Sequence, residues 1–127
     1  LPLWCKSNAF VLVDDSGMVI AMTPSEIAEQ FLELFSKKER WTSGPYAIDE
    51  TGAAVKVDSQ SACAWCLYGA WWRARLAGKI SLFDMSIFAE AIEDASRALY
   101  GYDAVMANEA DGLPAVRAIL RRVRDGK

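Results

Sequence analysis

The chain contains no histidine. That removes the side chain most often used as a general base and most often bound to a metal. Cysteine is sparse, three residues in 127, an odd count without the spacing of a disulfide scaffold. Reduced thiols in a cytoplasmic protein are therefore expected. Zinc would need two further ligands beside Cys63 and Cys66, and Cys5 alone leaves the set short. No window holds the roughly 18 to 20 apolar residues of a membrane span. The opening Leu1-Pro2-Leu3-Trp4-Cys5-Lys6 lacks a basic region followed by a long apolar one, so no signal peptide is expected. A basic excess is also missing: net charge is −3 and the pI is about 4.9. This balance argues against nucleic acid and against an anionic membrane surface. The one basic run, Arg121-Arg122-Val123-Arg124, falls in the last turn of an expected helix, where cations suit the dipole. There is no glycine-rich phosphate loop, no GxSxG and no His-assisted nucleophile. Neither a cofactor nor a metal is expected.

What the chain does have is tryptophan, concentrated in one place. The stretch from Cys63 to Arg75 carries Trp65, Trp71 and Trp72 together with Cys66 and Tyr68. Read as a helix, it is apolar on nearly every face and needs cover on nearly every side. Residues 1–127 are expected to form a single α+β domain, with about four helices packed against one or two small antiparallel hairpins.

The first hairpin is expected at Ala9–Val13 and Met18–Met22, around Asp14-Asp15-Ser16-Gly17. Thr23-Pro24-Ser25-Glu26 then reads as a helix start, with Thr23 as cap, Pro24 in the first turn and Glu26 closing a capping box. Ile27, Phe31, Leu34 and Phe35 follow at helical spacing. A second, weaker hairpin is expected at Tyr46–Val57 around Asp49-Glu50-Thr51-Gly52. The likeness of the two turns reads as shared turn chemistry rather than duplication. The central helix is expected from a cap at Asp58 or Ser59 to about Leu76, stopped by Gly78. Its inward stripe would be Cys63, Cys66, Leu67, Ala70, Trp71 and Ala74. A third helix is expected to begin after a Ser81–Ser86 connection and to end at Gly101. A polar connection over Asp103–Gly112 would precede a fourth helix opened by Leu113-Pro114.

From Trp41 onward the chain resembles an uncharacterised bacterial and phage domain family. The residues that carry the resemblance are Ala47–Gly52, Ala64-Trp65-Cys66-Leu67-Tyr68-Gly69-Ala70, Asn108-Glu109-Ala110-Asp111 and Val116–Leu120. The family's Trp-Asn-Asp turn is replaced here by Ala107-Asn108-Glu109. The resemblance implies an accessory gene product of mobile elements and carries over no catalytic residue.

Three constellations are candidates for function. Cys63-Ala64-Trp65-Cys66 has the C-x-x-C spacing, but an expected place one turn inside a helix favours two buried, unpaired thiols. Asn108, Glu109 and Asp111 are the carboxylate-bearing set best placed for a polar site, as a loop before a helix; their plain reading is a turn and cap. Trp65, Tyr68, Trp72 and Trp41, with Arg73 and Arg75 able to stack on indole faces, form a candidate binding surface. Two outward indoles, Trp65 and Trp72, would sit seven residues apart on one face and be covered by a second copy. The expected function is a non-catalytic binding or interaction protein, most simply a homodimer. The alternatives are a small-molecule binder with an aromatic pocket and a small carboxylate-dependent enzyme.

Overall fold

A computed structural model describes residues 19–126. Most of the expected first hairpin lies outside the described residues. Of its second strand, Ile20 pairs in parallel with Ile80, and its N–H donates to the Lys79 carbonyl.

Helix α1, Pro24–Leu34, starts with the expected capping box: Thr23 accepts from the Glu26 amide, and the Glu26 carboxylate accepts from the Thr23 amide. Ile27, Phe31, Leu34 and Phe35 are buried, and Phe31 meets Phe88 edge-on at 5.0 Å. A 3₁₀ turn over Lys38–Arg40 leads into Trp41. Strands β1, Ala47–Ile48, and β2, Ala64–Trp65, pair antiparallel, with Ala47 opposite Trp65 and Ile48 opposite Ala64. Four helices follow: α2, Leu67–Ala77; α3, Leu82–Tyr100; α4, Ala104–Ala110; and α5, Gly112–Asp125. Gly78 and Gly101 end α2 and α3 as expected.

The class is α+β, as expected, but with five helices among the described residues where about four were expected. The additional one is α4. Its inward residues are Ala104, Ala107 and Asn108, while Val105 and Met106 are exposed. Two small residues and an amide make no readable apolar stripe, so the segment looks like a polar connection.

Two other boundaries differ. Helix α3 begins at Leu82, because Ser81 itself caps it through the Asp84 amide. The central helix begins at Leu67 rather than near Ser59. Residues 58–66 spend their backbone elsewhere. Ser59 and Ser61 bond each other's hydroxyls, the Ser61 amide donates to Ser59 Oγ, and the Cys63 amide donates 2.8 Å to the Ile48 carbonyl. Serine side chains that bond locally compete with helix formation. The open edge of β1 takes the apolar part of the run as a strand. The expected Asp49 turn does form, with Asp49 Oδ1 accepting from the Thr51 amide, the Thr51 hydroxyl and the Ala53 amide.

Helices α1 and α5 run antiparallel and cap one another. Ser25 Oγ donates 2.6 Å to the Arg124 carbonyl, and Arg117 donates Nε and Nη2 to the Phe35 carbonyl at 3.0 and 2.9 Å. Terminal carbonyls otherwise lack partners, and a cation there also suits the dipole. Arg117→Ala is expected to lower stability by about 1 to 2 kcal/mol. A urea midpoint equal to wild type would show that Arg117 does not cap α1.

Candidate functional site

The sequence singles out six aromatic or basic residues as a surface, and the fold disperses them. Trp65 lies in β2, not on a helix, and is 2% exposed. Its Nε1 donates to the Val57 carbonyl at 3.1 Å. Arg73 crosses from α2 to lie 5.1 Å over the Trp65 ring and donates to the same carbonyl at 2.8 Å. This places Arg73 half-buried, and burial pushes its pKa down. Trp65 and Arg73 thus clasp the 57–65 segment to α2. The expected pair of outward indoles does not exist, because the strand takes Trp65 off the helix face that Trp72 occupies.

Trp41 is also engaged. Its Nε1 donates 3.0 Å to Asn108 Oδ1, and its ring lies against Gly112. Gly112, where α5 begins just after α4, takes a positive φ of 73°, a conformation that favours glycine. Trp71, on the expected inward stripe, donates 3.0 Å to the Met85 carbonyl and meets Trp72 edge-on at 5.1 Å. Trp72 is left 38% exposed, with the Arg75 guanidinium 5.2 Å from its ring. The stacking of both arginines on indoles follows the arrangement expected from the sequence.

Three residues that the sequence leaves unassigned share the corner where α2 meets α3. Leu76 is 52% exposed, Leu82 is 60% and Phe83 is 72%. Leu76 lies one turn beyond Trp72 on α2, and Leu82 and Phe83 open α3. The signal was partial: Ser81 and Asp84 fit a helix start, which puts Leu82 and Phe83 in its first turn, ahead of the buried Met85, Phe88 and Ile92.

The polar candidates converge in part. Asn108 is 4% exposed. Besides the Trp41 indole, its Oδ1 accepts from the Leu67 amide at 3.1 Å, so it holds the start of α2. Glu109 accepts from the Gly44 amide at 2.8 Å. Asp111 is set apart as the C-cap of α4 and accepts from the Tyr102 hydroxyl. The three sit on and beside a helix, not in a loop, and two of them hold the 41–44 segment and α2 in place.

Between these elements lies a cleft of about 160 Å³, lined by Gly44, Tyr46, Cys66, Tyr68, Val105, Asn108 and Glu109. Cys66 caps α2, its sulfur accepting from the Gly69 amide at 3.3 Å. The motif is therefore at a helix start, not one turn inside, as the shorter helix requires. Even so, burial pushes the Cys66 thiol up, with the Glu109 charge adding to the effect. A thiol held in its protonated form is a poor nucleophile. Cys66 is free, whereas Cys63 is disulfide-bonded. The expectation of two unpaired thiols thus fails at Cys63, and Cys66 is not its partner. Among the described residues no three His, Cys, Asp or Glu side chains gather as a metal set.

Also lining the cleft, Tyr68 donates its hydroxyl to Glu93, which accepts from the Ala104 amide as well and pairs with Arg97 at 3.7 Å. Glu93 and Arg97 lie one turn apart on α3, the spacing at which such side chains meet. Burial first, and then the Glu93 hydrogen bond, push the Tyr68 pKa above its ordinary value. An unfolded tyrosine ionises near pH ~10, so this contribution to stability is full below that pH and is lost as pH rises further. Between about pH 9 and about pH 11, wild type is expected to lose more stability than Tyr68→Phe. Parallel alkaline stability profiles for the two proteins would contradict this.

A larger, open groove of about 520 Å³ runs between α3 and α5, with Ala91, Ala95 and Ala98 along it and Asp94 and Arg122 among its lining. It brings together no convergent polar chemistry. No family model matches the chain, and no curated protein or solved structure matches it.

Proposed function

We propose that this is a non-catalytic interaction protein that self-associates, most simply as a two-fold dimer, through the corner between α2 and α3. The observation that carries the reading is the exposure of Trp72, Leu76, Leu82 and Phe83 within one twelve-residue stretch. Clustered exposed apolar side chains mark interaction surfaces, and aromatic residues are enriched at their centres. Charges of both signs accompany them, Arg75 and Lys79 from α2 and its turn beside Asp84 of α3. A copy related by a two-fold axis can therefore meet opposite rather than like charge. The enzyme reading has less support, since Asn108 is occupied by indole and backbone donors and Asp111 is set apart with Tyr102, which leaves Glu109 without a second carboxylate of the set in the cleft. The acidic balance supports the absence of a nucleic-acid partner. Among the described residues no helix is long and apolar enough to cross a membrane.

The phage-family resemblance supports an accessory role for the gene product. For the compartment, the free Cys66 suits the proposed cytoplasm, whereas the disulfide at Cys63 suits an oxidising setting.

Sedimentation over a range of concentrations tests the reading. Wild type is expected to dimerise, and Leu76→Ser or Phe83→Ser to weaken the dimer by about tenfold or more without a matching loss of stability. Equal dimerisation by both variants would move the interface elsewhere on the molecule.

A further inference from the structure

The cleft beside α4 has a chemistry that self-association does not use. Two tyrosines, Tyr46 and Tyr68, line it with a carboxylate, Glu109, and among the described residues no lysine or arginine lines it. Glu109 uses Oε1 for the Gly44 amide and, at 3.5 Å, the Asn108 amide nitrogen. Among the described residues its Oε2 has no hydrogen-bond partner and no cation pairs with the carboxylate. Glu93 and Asp103 add negative charge beside Tyr68, and Arg97 offsets part of it. The remaining walls are apolar or neutral: Val105, the protonated thiol of Cys66 and the Asn108 amide.

Each class of ligand meets this lining differently. An anion would face Glu109 with no basic group to receive it. A neutral apolar group would strip water from a carboxylate without replacing it, which is costly. A cation gains from the carboxylate and from aromatic ring faces, which attract positive charge electrostatically. The volume limits the size. At about 160 Å³ the cleft has room for roughly five waters' worth of ligand, which suits a compact head group and not a fused ring system. A methylated head fits better than a heavily hydrated ion, because the apolar walls offer it contact and ask for no hydrogen bonds.

We infer that the cleft between Tyr46, Tyr68 and Glu109 binds a small organic ammonium group. Glu109 supplies the counter-charge, the two rings supply the faces, and Val105 with Cys66 packs against the carbon substituents. The same head group occurs on a free amine and on a methylated lysine side chain. The cleft opens beside exposed Tyr46, so either source can reach it.

NMR titration tests the inference with choline, a short trimethyllysine peptide and the uncharged choline isostere 3,3-dimethylbutanol as probes. Choline or the peptide is expected to give saturable shifts at the Gly44, Tyr46, Tyr68 and Glu109 amides, and the isostere none. Tighter binding of choline assigns the site to free amines, and tighter binding of the peptide assigns it to a side chain. Glu109→Gln is expected to weaken binding by about tenfold or more. Glutamine still has an oxygen for the Gly44 amide, so the loop is kept, and an unchanged melting temperature checks this. Tyr46→Ala, at an exposed position, should weaken binding without altering the fold. The inference is overturned if neither charged probe shifts these amides at concentrations on the order of tens of millimolar. It is equally overturned if the isostere binds as well as choline, or if folded Glu109→Gln binds as tightly as wild type.

Discussion

Gly69→Ala is expected to destabilise the fold by about 3 kcal/mol, although alanine is the better helix former. Gly69 lies in the first turn of α2 with the backbone of Tyr46 directly against it. A Cβ built there would stand 1.8 Å from the Tyr46 carbonyl oxygen and 2.7 Å from its carbon. The obstacle is backbone, so no side chain can rotate away. The chain at Tyr46 is held in turn, because its carbonyl accepts from the Cys66 amide and the next residue pairs with Trp65 across β1 and β2. Relief requires α2 and the small sheet to separate. Helix propensity favours alanine by about 1 kcal/mol, and the steric cost exceeds it. A urea midpoint at or above wild type would show that α2 does not approach Tyr46 this closely.

Asn108→Ala is expected to lose about 3 to 4 kcal/mol, for a different reason. One oxygen satisfies two donors, the Trp41 indole and the first amide of α2. Removing it strands both, and a buried unsatisfied donor costs about 1 to 3 kcal/mol. Asn108→Asp keeps the acceptor and puts negative charge at a helix start, which favours it, but beside Glu109, which opposes it. It should therefore fall between wild type and Asn108→Ala. Hydrogen exchange at the Leu67 amide separates this account from a general packing loss. Protection there should fall by more in Asn108→Ala than at amides deep in α5. A uniform fall would contradict it.

The parts of the fold that were legible are those whose signals are local. Thr23, Pro24 and Glu26 announce α1 within four residues, and Gly78 and Gly101 end α2 and α3 without help from elsewhere. The run from Ala62 to Leu67 was not legible, since a short apolar run reads equally as buried helix or buried strand. Its state depends on Tyr46 and Ile48, whose carbonyls receive the Cys66 and Cys63 amides. That one boundary moved Trp65 into the core, and the expected aromatic surface went with it. The polar site was half legible. A cluster at Asn108 and Glu109 can be seen in the sequence, but its partners cannot, because Trp41 and Leu67 lie 67 and 41 residues away. Tyr68 was visible as an aromatic, yet its place on the cleft wall depends on Glu93, 25 residues on.

Self-association through the α2–α3 corner is the central claim, and hydrogen exchange measured at low and at high protein concentration tests it most directly. The account predicts that amides from Trp72 to Asp84 exchange more slowly at the higher concentration, while those of α4 and α5 keep the same rates. Exchange that is independent of concentration along the whole of α2 and the start of α3 would contradict it.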